Sequence, residues 1–548
     1  MRELRERPER WILLATAAAI AVGFTWGLPG SDSWAADAIS PRSCGLGAIV
    51  ETYRPGHFHT YPPLHMALLT VLSLPWMALA AARVGTAPDA LAQELVKPLY
   101  MTGIEVSARL VAAAMALGIV ACTMRLWKRI AGRRAGVLAG IAAAANAPLV
   151  YYAHTGNLDV PYLFWIAVAL LELDRVACGE RREAQALLAA TAAVLTKDQA
   201  AAALLLVFPV WLVAIPWTAR REPVLRRGLV RAFGLAAAVF ALVSGAVVNP
   251  TGFRARLAFL LGPASQTWAG YPKGLRGTLE LLHDAVRAVP EFTSWPIAVL
   301  AAIGVALAIG SARGLARARV LLPLAAAMSF TLLFTLAARR TEHRFLLPQS
   351  LWLAPYAGLA IERAWRAAPR LRALAAAVGI AAIAPAVLGV ASMDATLLAD
   401  PRYEAERFLD RQPPGTHVDV YGGPIFLPRI PASLVAVRPG VEPLADRQPI
   451  AGVEDLVDPA MDLPSRAPAL VVLATELSNV ASTKPPPASS PYALAGYHDA
   501  ASHALFRALL DGSLGYRRVV TARCTLPWPL TCRRVHGSTG GEVWIYAR

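Results

Sequence analysis

The ten residues Arg125-Leu126-Trp127-Lys128-Arg129-Ile130-Ala131-Gly132-Arg133-Arg134 decide how this chain is organised. They carry five basic side chains and no acid, and they separate two apolar runs, 104–123 and 135–152. A basic cluster between long apolar segments is where membrane proteins keep their cytoplasmic loops. Working outward, apolar segments recur at 11–28, 104–123, 135–152, 161–176, 184–196, 200–218, 229–248, 295–312, 319–337, 345–361 and 373–392. Ala and Leu dominate them, and both favour helix. Helices satisfy their own backbone groups in lipid, so the spacing predicts an all-α polytopic bundle of about eleven transmembrane helices.

Composition agrees. Of 548 residues, 56% are hydrophobic and 16% are charged, against about 25% charged in soluble domains. The net charge of +16 does not point to nucleic acid, because the basic residues sit in short clusters between apolar segments. Further clusters lie at Arg175–Arg182, Arg220–Arg231, Arg313–Arg319 and Arg363–Arg372. If the eleven segments alternate, all of them and the N-terminus fall on the cytoplasmic side of the inner membrane. Residues 63–83 are apolar enough to span but would invert this scheme, so they are read as an interfacial helix on the outer face. The 184–196 segment is short, about 20 Å at 1.5 Å per residue, and is read as a half-helix breaking at Thr196-Lys197-Asp198-Gln199. Met1–Arg10 is charged, and the apolar run after it shows no clear small-residue cleavage site.

Residues 1–392 then form a transmembrane module with two large outer loops, 29–103 and 249–294. Residues 393–548 form an extracytoplasmic C-terminal domain, rich in Pro and charge, with short strand-like runs at Ala469–Leu473 and Val543–Tyr546. Its length suffices for a small α/β domain. Cys524 and Cys532 lie there, where a disulfide is permitted, and the spacing leaves their pairing open.

Four outer stretches carry chemistry-bearing residues. The first loop opens with Gly30-Ser31-Asp32-Ser33-Trp34-Ala35-Ala36-Asp37 and continues through His57-Phe58-His59-Thr60-Tyr61-Pro62-Pro63-Leu64-His65. Asp32 also fits a capping role after Pro29-Gly30. A second turn, Tyr151-Tyr152-Ala153-His154-Thr155-Gly156-Asn157-Leu158-Asp159, adds a carboxylate and two aromatics, equally readable as an interfacial Tyr belt. Lys197 sits between apolar segments, at a depth where an ionisable group marks a site or a snorkelling helix end. Arg339-Arg340-Thr341-Glu342-His343-Arg344 is a basic cluster on the outer side, against the usual bias. An anionic ligand explains such a cluster, since Arg binds phosphate through a planar bidentate fork; a lipid-headgroup patch is the plainer alternative. All ten histidines fall in outer regions, and none shows the spacing of a specific metal set.

In this order the elements resemble the GT-C membrane glycosyltransferases, nearest the dolichyl-phosphate-mannose–protein mannosyltransferase and lipid A aminoarabinose transferase group (glycosyltransferase family 39-like). The residues that carry the resemblance are Trp34 to Asp37, Pro62-Pro63-Leu64, the basic turn after 104–123, Tyr151 to Pro161, Thr196-Lys197, Asn249-Pro250 and Arg340 with Arg344 to Pro348. The resemblance implies inverting transfer of a sugar from a polyprenyl-phosphate donor to an acceptor hydroxyl at the outer face of the membrane. Its catalytic base is Asp37 by position, with Asp32 second. The family's Asp is commonly followed by Glu, whereas Ala38 follows here, so a second carboxylate comes from Asp32, Glu51 or Asp159, or is absent. The implied donor-phosphate ligands are Arg340, Arg344 and Lys197, and Tyr61, His65 and His154 position substrate. No cofactor is implied, and a divalent metal has no dedicated ligand set. The partners are the lipid-linked donor, the bilayer and an acceptor that is a protein, a lipid or a polysaccharide, with no nucleic acid. The rival classes are a transporter or flippase of lipid-linked sugar, which needs polar groups along a transmembrane path, and a non-catalytic binding scaffold.

The alternation generates a direct test. Reporter fusions at Arg129 and at Gly496 are expected in opposite compartments; the same compartment for both would break the topology.

Overall fold

The apolar segments fold as helices, and the points at which they break follow from local sequence. The structure is a computed structural model that describes residues 8–30, 33–35, 38, 45–214, 223–266, 269–311, 314–367, 369–444, 447, 450–475, 500–535 and 539–548. By internal contacts the chain divides into two units. The first comprises Met1–Phe24, Pro41–Pro75 and Ile104–Asp394; the second comprises Thr25–Ser40, Trp76–Gly103 and Ala395–Arg548. The expected C-terminal domain, begun at 393, thus shares its unit with two short stretches of the first outer loop and its neighbourhood.

Four helices are long and apolar enough to cross a membrane: Pro63–Val84, Pro98–Ala131, Gly314–Ala338 and Arg372–Leu409. Two bent pairs, Arg133–Ala144 with Ala147–Ala153 at 64° and Leu275–Phe292 with Trp295–Gly310 at 113°, raise the number to six if each is one span. The chain is a membrane-embedded helical protein. The expected count of eleven is not reached by this measure among the described residues, because several apolar segments are short or interrupted. The 135–152 run breaks at Asn146, whose side chain accepts a hydrogen bond from the Leu149 N–H at 3.1 Å and so caps a new helix with Pro148 in its first turn. The 345–361 run is likewise two helices, His343–Leu353 and Pro355–Ala367. Pro63–Val84, expected to lie on the interface, is among the helices of spanning length.

Small residues set the helix packing in the first unit, as they do where lipid removes the hydrophobic drive between helices. A Cβ on Gly304 would lie 2.0 Å from the Tyr356 carbonyl oxygen, so helix Trp295–Ser311 meets Pro355–Ala367 at backbone distance. Tyr356 is fully buried, edge-on to Trp127 at 4.7 Å, and its hydroxyl donates to the Val320 carbonyl at 2.5 Å. The basic clusters meet one another through shared carboxylates. Buried Asp174 accepts from Arg129 Nε at 2.7 Å and from Arg319 Nε at 2.6 Å. Arg133 reaches Glu9, 3.4 Å away, and Arg134 lies over the Trp365 ring.

The second unit contains a six-stranded sheet. Its strands are β1 (His417–Tyr421), β2 (Val435–Gly440), β3 (Val453–Val457), β4 (Leu470–Ala474), β5 (Arg517–Ala522) and β6 (Val543–Ala547), in spatial order β3-β2-β1-β4-β6-β5. The first four run parallel, and β6 and β5 join antiparallel. Side chains alternate across the pleat. Val418, Val420, Val472 and Ile545 share one core with helix Pro401–Leu409, while Tyr421, Val471 and Leu473 share another with helix Ala500–Asp511. A helix on each face accounts for the fully buried, unalternating β4. Cys524 and Cys532, whose pairing the sequence left open, are joined by a disulfide.

Ile545 is fully buried between these layers. Ile545→Ala is expected to destabilise the second unit by about 2–5 kcal/mol, read as an earlier unfolding transition of the purified chain. The same truncation at exposed Leu510 should stay within about 0.5 kcal/mol.

Candidate functional site

A run of polar contacts joins several of the turns flagged by the sequence in the first unit. It begins at Asn249, which caps helix Pro250–Leu261 by accepting from the Gly252 N–H at 3.0 Å. The same side chain holds the first outer loop. Its amide nitrogen lies 3.1, 2.7 and 2.8 Å from the carbonyls of Thr52, Arg54 and His57, and its oxygen accepts from the Gly56 N–H at 3.0 Å. Position 252 must be glycine for this docking, since a Cβ there would sit 1.9 Å from the His57 carbonyl oxygen. One helical turn on, Arg256 contacts the Thr60 carbonyl and forms an ion pair with Asp198.

Asp198 adjoins Lys197 in the break between helices Glu183–Thr196 and Gln199–Leu204. The Lys197 ammonium donates to Asp159 Oδ1 at 2.6 Å, with both side chains buried, and lies 5.7 Å from the centre of the Tyr162 ring. Removing two charges from water costs several kcal/mol per ion, so a buried pair survives only with close mutual contact. Lys197 and Asp159, expected as separate phosphate-binding and acidic groups, are therefore one unit that ties the 154–159 turn to the 196–199 break.

Tyr152 is fully buried and lies edge-on to Tyr151, 5.0 Å between ring centres. Arg340 and Arg344 grip Glu342 from two sides: Arg340 Nε donates to Oε1 at 2.8 Å, and Arg344 Nε donates to Oε2 at 2.9 Å. Both guanidiniums lie over the Phe345 ring, at 4.5 and 4.7 Å from its centre, a cation–π arrangement that holds them side by side. Two cations share one carboxylate. The turn itself is held by Arg339, in the left-handed region at φ 55°, whose carbonyl accepts from the Gly270 N–H at 3.0 Å and whose guanidinium reaches the Tyr271 carbonyl at 2.7 Å. His343 pairs with Glu291 at 2.5 Å and stacks on Phe292.

The remaining expected residues fall as follows. Asp32 and Asp37 lie outside the described residues. Tyr61 is half-buried, with its N–H donating to His59 Nδ1 at 3.2 Å. His65 is buried near the start of helix Pro63–Val84, and its Nδ1 has no hydrogen-bond partner among the described residues. His154 is fully buried, its ring nitrogens 2.8 Å from the Val150 carbonyl and 2.6 Å from that of Val22, a placement that serves the backbone. Among the described residues no group of three or more His, Cys, Asp and Glu is placed to hold a metal ion.

Sequence reasoning passed over two arginines. Arg256 is one; the other is fully buried Arg109, paired with Glu105 at 2.5 Å and donating to the Phe24 carbonyl at 2.7 Å. The available signal was the pair of opposite charges four residues apart inside the apolar run 104–123, the spacing that puts both on one helix face.

The second unit holds its own share of the first loop. Trp34 lies under the Arg402 guanidinium at 4.1 Å and that of Arg429 at 5.1 Å, and against Tyr403 at 5.1 Å. The Trp26 indole N–H donates to Asp400 at 2.8 Å, and Arg402 in turn pairs with Asp400.

No family model matches the chain, and none of the curated proteins does. Among solved structures it is similar to ArnT from Cupriavidus metallidurans bound to undecaprenyl phosphate, at 16% identity over 98% of each chain and a TM-score of 0.45. The archaeal oligosaccharyltransferase AglB from Archaeoglobus fulgidus, in complex with an inhibitory peptide and a dolichol-phosphate, matches at 12% identity over 92% of this chain and 72% of its own, TM-score 0.45. The mycobacterial arabinofuranosyltransferase AftD matches at 15% identity over 98% of this chain and 41% of its own, TM-score 0.36.

The loop-holding role of Asn249 is open to measurement. Asn249→Ala leaves the carbonyls it serves to find other donors, a loss of about 1–3 kcal/mol. Hydrogen exchange across 52–60 should speed up, while exchange in helix Arg133–Ala144 stays as it was. Unchanged exchange in the loop would mean that other contacts hold it.

Proposed function

We propose that this chain is a membrane glycosyltransferase of the GT-C class that transfers a sugar, with inversion, from a polyprenyl-phosphate carrier to an acceptor hydroxyl at the outer face of the inner membrane. The observation that carries the reading is the Arg340–Glu342–Arg344 group, two guanidiniums held on one carboxylate and over one ring, in the same unit as the polar contacts that run from Asn249 through Arg256–Asp198 to Lys197–Asp159.

In this mechanism Asp37, the acid of the Trp-x-x-Asp element, takes the proton of the acceptor hydroxyl. The freed oxygen attacks the anomeric carbon, and the bond from that carbon to the phosphate oxygen breaks on the opposite side, which inverts the configuration. The electron pair stays on the polyprenyl phosphate, whose charge rises by one. Arg344 and Arg340 stabilise that charge as it develops, which is where fixed cations contribute most to rate. Lys197 acts through Asp159, holding the turn that carries Tyr152. Asp32 is the second choice of base, and Tyr61 and His65 position substrate. The sugar is a hexose or pentose.

Two substitutions test this. Asp37→Asn should lower transfer by roughly 10²–10⁴ with donor binding kept; full activity there, with loss in Asp32→Asn, would move the base to Asp32. Arg344→Ala should weaken donor binding and slow turnover, and Arg344→Lys should restore only part, because an ammonium lacks the bidentate fork. Wild-type donor affinity in Arg344→Ala would remove this residue from the site.

A further inference from the structure

A groove of about 730 Å³ lies in the first unit between helices Arg133–Ala144, Pro355–Ala367 and Arg372–Leu398, and the mechanism above makes no use of it. Its walls are apolar, from Val137, Ile141, Ile361, Ile380 and Ile383, with Gly379 in its floor. Its rim at one end carries Arg133, Arg134 and Arg366. Ile380 is exposed although it belongs to one of the span-length helices, so this wall faces lipid rather than protein.

The rim charges are unequally spent. Arg366 donates to Glu362 at 2.7 Å and Arg133 pairs with Glu9. Arg134 has no carboxylate partner among the described residues; its guanidinium lies over the Trp365 ring, 5.1 Å from the centre, which leaves its N–H edges free. A pre-oriented guanidinium beside a second arginine, at the mouth of an apolar groove open to lipid, matches a molecule with a phosphate at one end and hydrocarbon at the other.

We propose that the groove binds a diacyl phospholipid with an anionic headgroup, the phosphate on Arg134 and Arg366 and an acyl chain along Ile380 and Ile383. It is separate from the donor site. Arg344 and Arg366 stand at opposite ends of the consecutive helices His343–Leu353 and Pro355–Ala367, a path of roughly 33 Å at 1.5 Å per residue. That matches a hydrocarbon core of about 30 Å, so the two arginines serve opposite leaflets. A lipid here would wedge three helices together at the end where the basic clusters meet, and the proposal stands whether or not the chain transfers sugar.

The test uses the purified full chain in neutral detergent, with phosphatidylglycerol and phosphatidylethanolamine of identical acyl chains added at equal concentration and the retained lipid counted by native mass spectrometry. Wild type should retain phosphatidylglycerol about tenfold more tightly, because both lipids offer a phosphate but the ethanolamine ammonium competes for it and brings a positive charge against the arginines. Arg134→Gln should erase that preference while leaving some lipid bound. Gly379→Phe, which fills the floor and leaves the charges in place, should reduce retention of both lipids. Equal retention of the two by wild type would overturn the proposal, as would an unchanged preference in Arg134→Gln. Displacement of phosphatidylglycerol by an equal amount of polyprenyl phosphate would also overturn it, by giving the groove to the carrier. Each variant is compared at matched monodispersity, and Arg134→Lys, which keeps the charge, should retain part of the preference.

Discussion

The Lys197–Asp159 contact at 2.6 Å sets the terms for the first unit. Neither charge can remain alone in a buried position: removing one partner of such a pair costs about 3–5 kcal/mol. The pair therefore fixes where the chain stops being helical, because Lys197 reaches Asp159 from the break at 196–198 and Asp159 opens the helix that runs to Ala177. With that break in place, Asp198 is presented to Arg256, and Arg256 to the Thr60 carbonyl. A single electrostatic requirement thus propagates to the docking of a loop more than a hundred residues away in sequence.

The same requirement sorts the remaining charges of the bundle. Several buried charges have a partner four residues away, as Glu105 and Arg109 do, or on a neighbouring helix, as Asp174 has in Arg129 and Arg319. Asp174 is the counterpart of Glu342: one carboxylate between two guanidiniums, in each case drawn from stretches the charge pattern singles out. The difference lies in how the arginines are held. At Asp174 they come from separate helices and lock them together, whereas at Glu342 they come from one turn and share the Phe345 face. The first arrangement is bracing. The second sets two forks on one carboxylate.

Helical character, the strand-bearing tail and the outer turns were legible because they rest on local signals: apolar runs, Pro-rich composition and charge clusters. Helix breaks were partly so. The break at Thr196-Lys197-Asp198-Gln199 was expected from the short 184–196 segment, whereas Asn146 caps a new helix inside an apolar run that no window of hydropathy divides. The segregation of Trp26 and Trp34 with Asp400, Arg402 and Arg429 was also hidden, since it joins residues some 370 positions apart through stacking and one indole hydrogen bond. Arg340 and Arg344 were visible as charges that broke the expected bias, and Lys197 as an ionisable group between apolar segments. What stayed invisible was their partnership: Lys197 belongs to Asp159, and the two arginines share Glu342.

On the proposed reading, that partnership decides which group suits an incoming phosphate. An ammonium held 2.6 Å from a buried carboxylate is already neutralised, and drawing it away would strand Asp159 without its counter-charge. The guanidiniums differ. Arg344 uses Nε and one terminal nitrogen on Glu342, at 2.9 and 2.8 Å, and a guanidinium carries five N–H donors in all. Phe345 covers one face of each ring. Glu342 orients the pair, so on the proposed reading an arriving phosphate meets donors that are already aligned and need little reorganisation. On that reading the carboxylate serves anion binding by fixing two arginines that would otherwise repel each other.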